Sequence, residues 1–150
     1  MAERKRRIVT QYGALPIAFD ADLRLRVMLV TARGSGDWII PKGWPIANLS
    51  PSETAAREAF EEAGLVGVVA DETPIGSYRY RKGARRQRYE VVVFALHVHE
   101  QKKRWPEKGE RRTKWFALDE AALKVSRPEL ASVVSAFAAL RQAETEANLR

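Results

Sequence analysis

The sequence predicts one α/β domain with a mixed β-sheet between helices, and three observations carry that prediction. Short β-branched and aromatic runs alternate with two helical segments along the chain, the order of elements that builds a sheet covered by helices. A length of 150 residues, 45% hydrophobic, provides one substantial core and is short for two domains. There is no internal repeat, low-complexity tract or obvious linker.

Ile8 to Phe19 and Leu25 to Thr31 read as the first strands, with a loop and a short strand at Trp38-Ile39-Ile40 after them. A loop through Gly43 then leads into a helix. Ser50 with Glu53 three residues later is a capping box, Pro51 takes the first helical position, and Gly64 supplies a left-handed stop. Strands resume near Val66 to Ala70, Ile75 to Tyr80, Tyr89 to His99 and Lys114 to Leu118. The last helix opens at Ser126, Pro128 and Glu129, and Leu130, Val133, Phe137 and Leu140 form a stripe expected to be core. Met1 to Arg7 is basic and expected to be flexible, leaving residues 8–150 as the domain.

The absence of cysteine excludes disulfides, thiolate metal sites and thiol nucleophiles. No apolar run approaches the roughly 20 residues that span a bilayer, and the basic start does not lead into a signal-peptide core. A cytoplasmic protein without a membrane partner is expected. His97 and His99 alternate along a strand and are expected in ordinary sheet positions.

The central helix carries the chemistry. In Arg57-Glu58-Ala59-Phe60-Glu61-Glu62-Ala63, the residues Glu58, Glu61 and Glu62 fall within an arc of roughly 100°, with Ala56, Ala59, Phe60 and Ala63 expected on the opposite, packed side. Like charges at this spacing repel. A hard divalent cation offsets that repulsion, and a glutamate cluster without His or Cys suits Mg²⁺, or Mn²⁺ in its place, rather than zinc. Arg57 lies about 40° around the helix from Glu61, where it can orient a carboxylate without being a ligand.

The formal net charge is +7, and its densest stretch holds Arg79, Arg81, Lys82, Arg85, Arg86 and Arg88 between two strands, interleaved with Tyr78, Tyr80 and Tyr89. A strand-loop-strand arm of this kind favours a phosphate-rich partner. RNA or DNA is the rival, with Tyr78 or Tyr80 to stack on bases, but no nucleic-acid module signature accompanies it.

Gly43, Arg57, Glu58, Glu61, Glu62, Gly64 and Leu65 stand at the spacing of the signature box of the Nudix hydrolases, and the chain resembles that family. The box spans residues 43 to 65, and Leu49 stands where the family carries a glutamate. Downstream, Glu100, Trp105, Arg111, Arg112 and Lys114-Trp115-Phe116 resemble the diphosphoinositol polyphosphate phosphohydrolase branch. The resemblance implies a Nudix α/β/α sandwich that hydrolyses P–O–P links with Mg²⁺. It implies that Glu58, Glu61, Glu62 and the Lys42 carbonyl are metal ligands and that Gly43 permits a close loop. It also brings Glu100 to the metal site as a ligand or general base, with Glu62 the other candidate base. Arg33, Lys42, Arg79, Arg81 and Arg88 are the basic side chains expected at the substrate. That substrate is a diphosphoinositol polyphosphate or dinucleoside polyphosphate. The alternatives are an RNA 5′-pyrophosphohydrolase, an ADP-ribose or nucleotide-sugar pyrophosphatase, or a non-catalytic module binding RNA or phosphorylated ligands. Monomers and homodimers both fit.

Overall fold

In the computed structural model, residues 7–149 are described, so the flexibility expected of the N-terminus lies, apart from Arg7, outside them. The order is β1 (Val9–Phe19), β2 (Leu25–Thr31), β3 (Trp38–Ile39), β4 (Lys42–Gly43), α1 (Pro51–Ala63), β5 (Leu65–Val68), β6 (Gly76–Lys82), β7 (Gln87–Gln101), β8 (Thr113–Ala117), α2 (Leu118–Lys124) and α3 (Pro128–Asn148). All eight strands join one sheet around the parallel pair β1 and β7. β2 and β4 pair with the other side of β1, while β5 and β6 share the far side of β7. Every pairing except β1 with β7 is antiparallel.

Side-chain alternation along the strands divides the core into two layers. Leu15, Ile17, Val27, Leu29 and Phe116 pack under α2 and α3, against Leu130, Val134 and Phe137. Ala14, Met28, Val30, Phe94 and Leu96 face the other way and receive Ala55, Ala59 and Ala63 of α1. Helices thus cover both faces of a mixed sheet, the expected α/β/α sandwich. Three alanines at intervals of four keep α1 close to the strands, because residues four apart share a helix face.

Several local expectations change. The Gly43 loop contains a short strand, β4, whose Lys42 and Gly43 pair with Gly13 and Tyr12. β7 runs further at both ends, because its hairpin with β6 continues to the pair Lys82 and Gln87 and its pairing with β5 reaches Leu65 and Gln101. α2 has no counterpart in the sequence reading. The residue preceding α3 is Arg127, and no side chain caps that helix. Leu140 is 57% exposed, beyond the part of α3 that packs on the sheet.

On α1 the buried residues are Ser52, Thr54, Ala55, Ala59, Glu62 and Ala63. Phe60 is only partly covered. The packed side is therefore centred between Ala55 and Ala59, and Glu62, about 20° from Ala55 around the helix, turns inward with it. No helix is long and apolar enough to cross a membrane among the described residues.

Candidate functional site

α1 is fixed at both ends. The Ser50 hydroxyl accepts the Glu53 N–H at 3.2 Å while the Glu53 carboxylate accepts the Ser50 N–H at 2.9 Å. At the other end Gly64 adopts φ 72° and its N–H reaches back to Phe60. A side chain there would be strained by the backbone and would also overlap Trp105, which lies directly on Gly64. Trp105 therefore anchors its loop. The glutamates of α1 are thus held on a helix with little freedom to shift along its axis.

Glu62 is 2% exposed. It accepts a hydrogen bond from the Lys42 backbone N–H at 3.1 Å and lies 3.5 Å from the Arg111 guanidinium. Its carboxyl group also meets that of Glu58, one turn earlier. Burial pushes Glu62 up to about 8, Arg111 opposes that shift, and the negative Glu58 adds to it. Glu58 is raised too, by burial first, while its hydrogen bond with Glu62 acts the other way. The two carboxyl groups therefore favour sharing a proton over both being ionised. Gly43 completes the pocket from β4: a Cβ at that position would overlap the Glu58 carboxyl group.

Arg57 and Glu61 form the expected pair, with Nε 3.3 Å from Oε1. This holds Glu61 toward the outer side of α1. Glu100 lies near the end of β7, where its side chain is 54% exposed and pairs with Lys102 at 3.1 Å. A carboxylate that approaches the box is that of Glu107, whose N–H caps the Glu61 carbonyl at 3.0 Å and whose side chain meets Arg111, also at 3.0 Å. Arg111 in turn donates to the Thr31 carbonyl at 3.1 Å. It is pinned between β2, its own loop and Glu62. Neither Glu107 nor Arg111 lies in a periodic segment, so spacing offers no signal for their roles.

A cavity of 350 Å³ opens beside this pocket, with Arg33, Lys42, Lys82, Arg111 and Arg127 in its wall. Lys42 and Arg111 are also the partners of Glu62. Burial holds the Lys42 ammonium down at about 8, against the opposing pull of Glu62. Its Nζ stands 4.9 Å from the centroid of the Tyr80 ring. Arg33 is tied to Glu110 at 3.0 Å.

The arginine arm is the β6–β7 hairpin. Arg79 pairs with Glu90 at 2.9 Å, and Arg81 lies opposite Arg88 across the strands. Tyr78 and Tyr80 point inward, 3% and 7% exposed, and Tyr80 stacks on Tyr89 with centroids 4.9 Å apart. Neither is available to stack on bases. Trp44, next to Gly43, is the exposed aromatic here, edge-on to Tyr89. Leu49 lies on the surface of the loop before α1.

No three His, Cys, Asp or Glu side chains converge on one point among the described residues. Half-buried Glu58 and buried Glu62 nevertheless form an all-oxygen pair whose shared proton a divalent cation could replace. That donor set fits Mg²⁺ or Mn²⁺ and does not fit a soft metal.

The model of the NUDIX domain matches residues 10–137. The chain is 33% identical over 134 residues to Nudix hydrolase 12, mitochondrial, of Arabidopsis thaliana, covering 85% of this chain and 64% of that protein. It is 35% identical over 97 residues to Nudix hydrolase 4 of the same plant, covering 65% and 46%. The chain thus spans about half to two thirds of the length of these relatives. Among solved structures, a Caenorhabditis elegans Ap4A hydrolase in a binary complex superposes with a TM-score of 0.72 at 18% identity, covering 91% of this chain and 99% of that one. The capped glutamate helix, the glycine that makes room for Glu58 and a domain match over most of the chain agree, and the chain belongs to the Nudix family.

Proposed function

We propose that the chain is a Mg²⁺-dependent pyrophosphohydrolase of the cytoplasm, cleaving P–O–P links in a highly phosphorylated small molecule. A diphosphoinositol polyphosphate or a dinucleoside polyphosphate is the substrate class. One observation carries this reading: buried Glu62, beside Glu58, shares Lys42 and Arg111 with the wall of a basic cavity. Carboxylates for a cation and cations for phosphates thus adjoin. The relatives' names as Nudix hydrolases add support for hydrolysis.

Glu58 and Glu62 would hold Mg²⁺, with Glu61 and the Lys42 carbonyl as further oxygen donors. When bound, the ion neutralises phosphate charge and acidifies water. The residues of the chain have separate tasks. Arg111 holds Glu62 in place, and Arg57 restrains Glu61. Lys42, Arg33, Arg111 and Arg127 favour the negative charge that accumulates on phosphate oxygens as the link breaks. Glu62 is the candidate base inside the pocket. Glu107, paired with Arg111, is a further carboxylate beside the pocket, and Glu100 remains the other candidate base.

The test is phosphate or nucleotide release with Mg²⁺, with and without EDTA. The panel is diphosphoinositol pentakisphosphate, diadenosine polyphosphates, ADP-ribose and 5′-triphosphorylated RNA. Turnover of one of the first two, abolished by EDTA and reduced about 100-fold or more in Glu58→Gln, is the expected result. Preferred turnover of ADP-ribose or RNA would move the substrate assignment. Binding without turnover of any would replace hydrolysis with a binding role.

A further inference from the structure

The buried ring of Tyr80, on β6, forms part of the wall of the basic cavity beside Glu62. Two cations of that wall lie against it. The Arg127 guanidinium is 4.3 Å and the Lys42 ammonium 4.9 Å from the ring centroid. Lys42 comes from β4 and Arg127 from the residue that precedes α3, so the ring is where two distant parts of the chain meet. We propose that Tyr80 is a positioning residue whose ring fixes Lys42 and Arg127 in the cavity wall, so that both cations meet the phosphates of the substrate. This rests on the hydrolase reading given above and adds to it a residue that acts through the two cations rather than on the reacting atoms.

Three features carry the assignment. First, the ring is itself held. Its hydroxyl donates to the buried Gln11 side chain of β1, and Tyr89 stacks on it with an interplanar angle of 13°. Second, Arg127 stands at a position where helix chemistry favours other residues. It is the N-cap of α3, where Ser, Thr, Asp or Asn would accept a backbone N–H and where positive charge opposes the helix dipole. The arginine forgoes that cap, and what its guanidinium meets is the Tyr80 ring. Third, the charges of Lys42 and Arg127 are near enough to repel each other. The electron-rich face of a ring attracts both and so opposes their separation, which an aliphatic side chain of the same size would not do.

The experiment is calorimetric titration with inorganic pyrophosphate in EDTA, which separates binding from catalysis. Tyr80→Leu removes the ring, and Tyr80→Phe keeps it while losing the bond to Gln11. Arg127→Gln and the double variant of Tyr80→Leu with Arg127→Gln complete a cycle, and all are checked by thermal melting. Tyr80→Leu and Arg127→Gln should each weaken binding about tenfold, and the double variant should be hardly weaker than either alone. Tyr80→Phe should recover most of the loss. Trifluorophenylalanine at position 80 has nearly the shape of phenylalanine with a less negative face, so it tests the ring even where Tyr80→Leu does not fold; it should bind about threefold more weakly than Tyr80→Phe. Arg127→Ser restores a cap, and it should melt above wild type while binding pyrophosphate about tenfold more weakly. Equal binding by the phenylalanine and trifluorophenylalanine proteins, or additive losses in the double variant, would overturn the proposal. If wild type hydrolyses nothing yet this binding pattern appears, the hydrolase reading falls and the role of Tyr80 stands. If turnover is present without the pattern, the role of Tyr80 alone falls.

Discussion

Glu62 is enclosed by α1, β4 and the segment carrying Arg111, with a named partner on each side. Arg81 and Arg86, on the β6–β7 hairpin, stand in solvent. Both regions concentrate like charge, but they tolerate it differently. The acidic pocket does so by burial, a shared proton and one arginine, so it depends on shape to within an atom. The hairpin does so by leaving its side chains hydrated, so it depends on the number of charges and hardly on the position of any one of them. The lesson is that a change of one methyl group should matter more in the first region than a change of a whole charge in the second.

The largest expected effect tests that directly. Gly43→Ala adds only a methyl group, yet it displaces the Glu58 carboxyl group, and metal-dependent turnover should fall about 100-fold or more in a protein with unchanged circular dichroism. Near-normal turnover would show that the pocket is not limited by shape.

A middle-sized effect follows from the shared proton. The folded chain favours neutral Glu62, raised to about 8 from its ordinary 4.5. The stability this gives is fully present below pH 4.5 and is lost as pH rises toward 8, because ionisation then opposes folding. Glu62→Gln should therefore melt above wild type at pH 8 without metal, with the gap closing near pH 5. Mg²⁺ should stabilise wild type and not the variant. A gap independent of pH would mean that Glu62 is not the proton holder.

The smallest effect is expected at the surface. Leu49→Glu should lower the Mg²⁺ concentration for half-maximal rate by less than about tenfold. No change in a metal titration would make position 49 purely structural.

Much of α1 was legible in the residues. Its capping box, its glycine stop and the Arg57–Glu61 pair are local features, set by spacing alone. The inward turn of Glu62 was not, since a helical wheel groups three glutamates but does not tell which edge of the group faces the sheet. Tyr78 and Tyr80 did carry a signal, because their alternation with Arg79 and Arg81 is that of a strand with one wet face. Glu107 carried none, and Arg111 only its place in the resemblance downstream of the box. They reach the site through backbone contacts of their loop with Glu61 and Thr31, which no periodicity records. Leu140 shows the converse, an apolar residue at the right helical spacing on a helix that has outrun the sheet.

The central pairing of β1 with β7 also has a consequence for how the chain folds. Val9 meets Tyr89 and Ile17 meets His97, so each of these contacts joins residues 80 apart. Long-range pairing of this kind is slow to form and leaves strand edges unpaired meanwhile. During synthesis, a chain that has emerged as far as Leu65 already carries the whole glutamate box, but β1 has no β7 to lie beside and Glu62 has no Arg111. The motif is complete well before the site is, and the interval between them is a stretch of translation in which three crowded carboxylates have only Arg57 and water for company.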